Sequence, residues 1–157
     1  MNIVLHKHQF NIESINLLKK KTNTIIDGVF TKFIYSNEYF TMNGLYLEFP
    51  IYNMTCNYDS KYLNITYQPY EKENLTWLHY FTNIEYQVLD YYNKVNNINK
   101  QPVDILSKKL YSGNIKKSID NRCILNNTLT IKISGIWETE TEIGLAIKIL
   151  YNTYIFN

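Results

Sequence analysis

Tyr39-Phe40-Thr41-Met42-Asn43-Gly44-Leu45-Tyr46-Leu47-Glu48-Phe49 reads as two short strands around an Asn-Gly pair, which supplies the positive φ values that a type I′ hairpin turn demands. Leu45, Leu47 and Phe49 alternate with Tyr46 and Glu48, so the second strand is expected to have one apolar face and one wet face. Upstream, the run from Thr24 to Tyr35 is β-branched and aromatic and stops at the turn pair Ser36-Asn37, which predicts a further strand. Downstream, Lys61 to Tyr67 repeats the alternation, with Leu63, Ile65 and Tyr67 inward and Tyr62, Asn64 and Thr66 outward.

The period then changes. From Asn74 to Val95 the apolar residues Leu78, Phe81, Ile84, Val88, Tyr91 and Val95 recur at three and four, predicting one long helix with Asn74 as its cap behind Glu71 and Glu73. The polar stretch Asn96 to Pro102 ends it. Leu110 to Lys117 is a further strand candidate, and Thr128 to Trp137 pairs with Ile143 to Tyr151 across the polar turn Glu138 to Glu142. Leu129, Ile131 and Ile133 are expected in the core with Ile143, Leu145, Ile147 and Ile149. Residues 1–21, with Ile12, Ile15 and Leu18 near helical spacing, read as a short helix or an arm.

This order disfavours a doubly wound sheet, which needs more helices. It predicts a mainly β chain: an OB-like antiparallel Greek-key barrel of five to seven strands, with one long α-helix between the third and fourth barrel strands. No repeat, proline-rich linker or long charge run divides the 157 residues, so residues 1–157 are expected to form a single domain.

Composition narrows the chemistry. The chain has 21 Asn, 21 Ile, 15 Lys and 15 Tyr against one Ala and one Arg, a skew toward residues with A/T-rich codons. A net charge of +2 is mild, so an anionic partner must be held by a local basic surface rather than a global field. Cys56 and Cys123 stand 67 residues apart without a CxxC or a histidine pair, and both read as structural free thiols rather than a disulfide or zinc site. The apolar stretches are shorter than a membrane span, and Met1 to Phe10 carries His6, Lys7 and His8 where a signal peptide would be apolar. The expected setting is intracellular, with no membrane partner. The four Asn-x-Thr sequons at Asn53, Asn64, Asn74 and Asn126 are what so many asparagines give by chance.

An OB-type barrel binds single strands with a positive groove and exposed aromatic rings. The predicted wet faces offer Lys32, Tyr46, Lys61, Tyr62 and Lys132, with Lys108, Lys109, Tyr111, Lys116 and Lys117 on and beside the strand after the helix. Trp137 either closes the barrel or stacks a base. No catalytic set competes with this reading. His6-Lys7-His8 with Tyr91 and Lys94 resembles rolling-circle replication endonucleases only in residue type, because those enzymes place an apolar residue between the histidines and Tyr91 falls on the core stripe of the helix. His79 has no nearby Ser or Cys, and Glu138, Glu140 and Glu142 sit in a turn, where they read as solubilising rather than metal-binding. The chain is expected to be neither an enzyme nor cofactor-dependent.

Three segments, Phe33 to Tyr46, Lys109 to Lys116 and Lys132 to Glu138, resemble small proteins of large eukaryotic DNA viruses, similar to the phage T7-type single-stranded DNA-binding proteins. Ser134-Gly135-Ile136-Trp137-Glu138 followed by Glu142-Ile143-Gly144-Leu145 is the most specific phrase. The resemblance implies an OB barrel, often a homodimer, that coats single-stranded DNA in viral replication, repair or recombination within a host-cell factory, alongside replication proteins. The phage proteins end in an acidic tail, whereas this sequence closes Tyr154-Ile155-Phe156-Asn157, so polymerase recruitment through such a tail is not implied; Phe156 is instead a candidate for docking on a neighbouring subunit. The other function class is a virion structural or assembly protein whose tyrosine-rich sheet faces another chain.

Overall fold

The computed structural model describes residues 3–118 and 124–154; Cys123 and Phe156 lie outside them. In chain order the elements are a 3₁₀ turn Ile12–Ser14, β1 Ile15–Leu17, β2 Lys21–Thr22, β3 Val29–Ser36, β4 Thr41–Met42, β5 Leu45–Pro50, β6 Thr55–Tyr58, β7 Tyr62–Thr66, α1 Lys72–Asn96, β8 Gln101–Val103, α2 Ile105–Tyr111, β9 Asn114–Ser118, β10 Ile124–Glu138 and β11 Glu142–Tyr154. The chain is mainly β with one long helix. Eight strands make one sheet along the path β1-β3-β10-β11-β8, with β2 and β4 also on β3 and β5 on β10; β6-β7-β9 form a second, three-stranded sheet. No helix among the described residues is long and apolar enough to cross a membrane.

The β10–β11 hairpin is the spine. Its antiparallel ladder runs from Ile124↔Tyr154 to Glu138↔Ile143 with an irregularity between Ile133 and Gly135. The other edge of β10 is shared end to end: residues 128–133 pair with β5 and residues 135–138 with β3. Leu129, Ile131, Ile133, Ile143 and Leu145 are buried as the alternation predicts, whereas Ile147 and Ile149 are half-buried. In β7, Leu63, Ile65 and the following Tyr67 are buried, and Tyr62 faces out.

Helix α1 covers the inner face with Leu78, Phe81, Ile84, Val88, Leu89 and Tyr92. The stripe ends on Tyr92 rather than on Tyr91 and Val95; Tyr91 is half-buried and Val95 exposed. Asn97, in the left-handed region with φ 52°, closes the helix through its N–H to the carbonyls of Asn93 and Lys94. Asn74 is not the cap. It is the third residue of the helix, fully buried, accepting from the Tyr52 N–H at 2.9 Å and donating to the carbonyls of Tyr52 and Gln68, so it fixes the loop after β5 to the helix entrance.

Four expectations change. Asn43-Gly44 does not turn a hairpin: β4 pairs with β3, and β5 pairs with β10. The turn is instead the Ser36-Asn37 pair, where the Asn37 side chain accepts from the Tyr39 and Phe40 amides. Gly44, at φ 107°, is needed because a Cβ there would stand 2.9 Å from the Ile133 carbonyl oxygen as the chain crosses onto β10. Residues 105–111 are helical, so Leu110 and Tyr111 end α2 and the strand begins only at Asn114. The N-terminal segment forms a 3₁₀ turn and strand β1 on β3 rather than a helix. The described strands form no closed barrel either, because no ladder joins β9 to β11.

Candidate functional site

The gap between β9 and β11 is a groove. Among the described residues, no strand lies on the outer edge of β11 beyond Gly144, and β9 pairs with β7 alone. The groove has a volume of 750 Å³ and an apolar floor of Ile105, Ile115, Ile147, Ile149 and Tyr151. Its rim is Lys108 and Lys109 from α2 and Lys116 and Lys117 from β9, with no carboxylate lining it among the described residues. All four are among the residues that the sequence offers to an anionic strand. Short α2 carries its pair of lysines on successive residues at its exposed face, while its other face, Leu106 and Leu110, is buried.

Local contacts hold these cations in place. Lys117 Nζ stands 4.3 Å over the Tyr151 ring, bridging the two open edges, and Lys116 Nζ stands 4.2 Å over the Tyr62 ring on the neighbouring strand. Burial pushes the Tyr151 hydroxyl up to about 12, so it stays a neutral ring under the ammonium. Tyr62 is 37% exposed with Lys61 beside it in solvent. Lys108 shares its charge with Asp104 at 3.2 Å. Tyr111 is half-buried at the end of α2, its ring centroid 6.0 Å from that of exposed Tyr70.

The other sequence candidates lie elsewhere. Tyr46 is buried, only 5% exposed, for two reasons: Leu5 bridges β5 through Leu5 N–H to Tyr46 O at 2.8 Å, and the cross-strand partner Lys132 lays its ammonium 5.3 Å over the ring. Both residues therefore serve the β5–β10 ladder and leave the proposed wet face. Lys32 and Trp137 belong to the opposite, outer face of the large sheet. There a second depression of 760 Å³ is lined by Lys21, Ile25, Ile26, Phe30, Ile105, Trp137, Glu142 and Ala146 among others. Ile105, at the margin of β11, lines both depressions.

Beneath the end of the hairpin lies a buried polar cluster. Glu138 is 6% exposed rather than a solubilising turn residue. It accepts from Lys100 Nζ at 2.7 Å, Lys20 Nζ at 2.9 Å and the Tyr92 hydroxyl at 2.5 Å, and Tyr92 Oη also meets Thr31 Oγ1 at 3.1 Å. Burial works against the charged carboxylate, yet the hydrogen bonds from Lys100, Tyr92 and Lys20 win and hold it down to about 2. Every member is partnered, and the cluster ties the segment before β2, α1, the segment before β8 and β10 together as a structural clamp. Elsewhere, His6 Nδ1 is paired with Glu48 and His79 is exposed. Tyr91 gives its hydroxyl to the Ile15 carbonyl at 3.3 Å, and Cys56 is a half-buried free thiol whose pKa burial raises.

Sequence reasoning missed Phe30, Tyr70, Ile105 and the partnership of Lys117 with Tyr151. The readable signal for Phe30 was Gly135 and Gly144 on adjacent strands, since glycine inside a strand marks a close approach. In comparisons with known proteins the chain matches no family model, no curated protein and no solved structure, so the functional reading rests on the site alone.

Proposed function

We propose that this protein is a non-enzymatic single-stranded DNA-binding protein that coats exposed strands in viral DNA replication, repair or recombination. The observation that carries the reading is the convergence of Lys108, Lys109, Lys116 and Lys117 on one groove with an apolar and aromatic floor. Phosphates of an extended strand meet the rim, while sugars and bases lie on the isoleucines and Tyr151, with Tyr62 flanking the exit. Such a site is charge-driven and reads little sequence. The OB-like architecture belongs to the same proposal: the order of strands before and after α1 and the antiparallel β10–β11 spine support it, with the roll left open where the groove runs.

A labelled octathymidylate titrated from low to moderate salt tests it. The expected result is a logarithm of affinity that falls linearly with the logarithm of salt concentration, with slope about 0.7 per phosphate contact. No binding at low salt would overturn the reading in favour of a virion structural or assembly role.

A further inference from the structure

The outer face of the large sheet carries a slot that the lysine groove does not use. Lys21, Phe30, Trp137, Gly144 and Val103 stand side by side as successive cross-strand partners on β2, β3, β10, β11 and β8. Residues two apart on one strand share a face, so Lys32 joins Phe30, Gly135 joins Trp137, and Glu142 joins Gly144. Two of these positions have to be glycine. A Cβ on Gly144 would stand 2.2 Å from the Trp137 ring, and one on Gly135 would stand 2.8 Å from the Phe30 ring, so both rings approach the backbone of the neighbouring strand more closely than any side chain would allow. The result is an aromatic floor with Ile25 and Ile26 as an aliphatic wall. Ile25 is 90% exposed and Ile26 36% exposed, so two adjacent apolar side chains stand open to solvent beside the aromatic floor.

We infer that this slot takes one unstacked nucleobase of the bound strand, and that it favours bases with an exocyclic amine over thymine. The inference rests on the single-strand reading above. Charge sets the orientation. Lys21 and Lys32 flank Phe30 at one end, where they meet phosphate; Glu142 stands at the other end, three strand spacings across and two residues along β11, or roughly 16 Å from Lys21, where a carboxylate accepts from the amine of cytosine or adenine. Thymine offers no amine in that place. Because Ile105 lines both depressions, a strand leaving the slot passes over the margin of β11 into the lysine groove.

The test uses the full chain with Trp77→Phe, which leaves Trp137 as the sole tryptophan. Octadeoxycytidylate, octathymidylate and an abasic octamer are compared by labelled-strand anisotropy for binding and by tryptophan emission for the slot. All three should bind; the cytidylate should quench Trp137 strongly, the thymidylate less and the abasic strand not at all. Glu142→Gln should erase the preference for cytidylate, and Phe30→Leu should weaken both base-bearing strands about tenfold while leaving the abasic strand unchanged. Equal quenching by the abasic strand, or binding of all three without quenching, overturns the slot and leaves the lysine groove standing. Failure of all three to bind overturns the single-strand reading and the slot with it. If Trp77→Phe unfolds, the Phe30→Leu and Glu142→Gln affinities measured in the wild-type background decide the matter alone.

Discussion

Glu85, buried in the middle of α1, holds the first turn of α2 through Ser107: one carboxylate oxygen accepts from the Ser107 N–H at 2.9 Å and its hydroxyl at 2.6 Å, while the other accepts from the Leu106 N–H at 2.8 Å. A seven-residue helix is too short to persist alone. The carboxylate satisfies its otherwise open amides, and by fixing α2 it fixes Lys108 and Lys109 at the groove.

Glu85→Ala is therefore expected to cost about 3 kcal/mol in chemical denaturation, because it leaves two buried amides without an acceptor and the Ser107 hydroxyl with Thr82 Oγ1 alone. Ser107→Ala, which removes one donor and leaves Glu85 its two amides, should cost only about 1 kcal/mol. Equal losses for the two variants would show that the carboxylate is not the anchor.

Glu138 makes stability depend on acid. Its carboxyl is held down to about 2 in the folded chain, below the ordinary value of 4.5, so its contribution is fully present above about 4.5 and drains away as pH falls toward 2. The melting temperature should drop across that window, and Glu138→Gln should flatten the dependence. At neutral pH the same variant takes the carboxylate from Lys20, which is exposed, and leaves Lys100 the Thr139 carbonyl, and should lose about 2 kcal/mol.

At the groove, changing Lys109 and Lys116 together to Gln should lower affinity for an oligonucleotide and reduce the salt slope by about 1.4, two contacts at 0.7 each. Both side chains are exposed, so stability should move by no more than about 0.5 kcal/mol. A large fall in melting temperature with unchanged binding would assign them to the fold instead.

The tyrosines divide in the opposite sense. Tyr46→Ala empties a buried site on β5 and should cost about 3 kcal/mol, whereas Tyr62→Ala, on the exposed face of β7, should leave the denaturation midpoint nearly unchanged and weaken strand binding. Thermal melts paired with anisotropy separate the two.

What was legible in the sequence was what neighbours in the chain decide. The alternation in Lys61 to Tyr67 and in the two arms around residues 139–141, and the three-four spacing from Leu78 to Val88, each report a face buried by its own element. Asn43-Gly44 misled because Gly44 answers to the carbonyl of Ile133, far along the chain, rather than to a turn. Tyr46 misled for the same reason, being covered by Leu5 and Lys132. Leu110 and Tyr111, expected to open a strand running to Lys117, instead end a short helix whose first turn is held by Glu85. At the site, charge alone drew attention to Lys108, Lys109, Lys116 and Lys117, but their meeting with Ile147, Ile149 and Tyr151 depends on two strand edges that come together only in the folded chain.

Those two edges have a cost outside any binding event. Amides and carbonyls along β11 past Gly144 and along β9 present ready templates for a neighbouring copy, the route by which sheets polymerise. Lysines lining both margins act as gatekeepers, since docking one molecule on another would crowd like charges. Raising ionic strength screens that repulsion within a few ångströms, so light scattering of the strand-free protein should report growing self-association with added salt, the reverse of its expected response to an oligonucleotide.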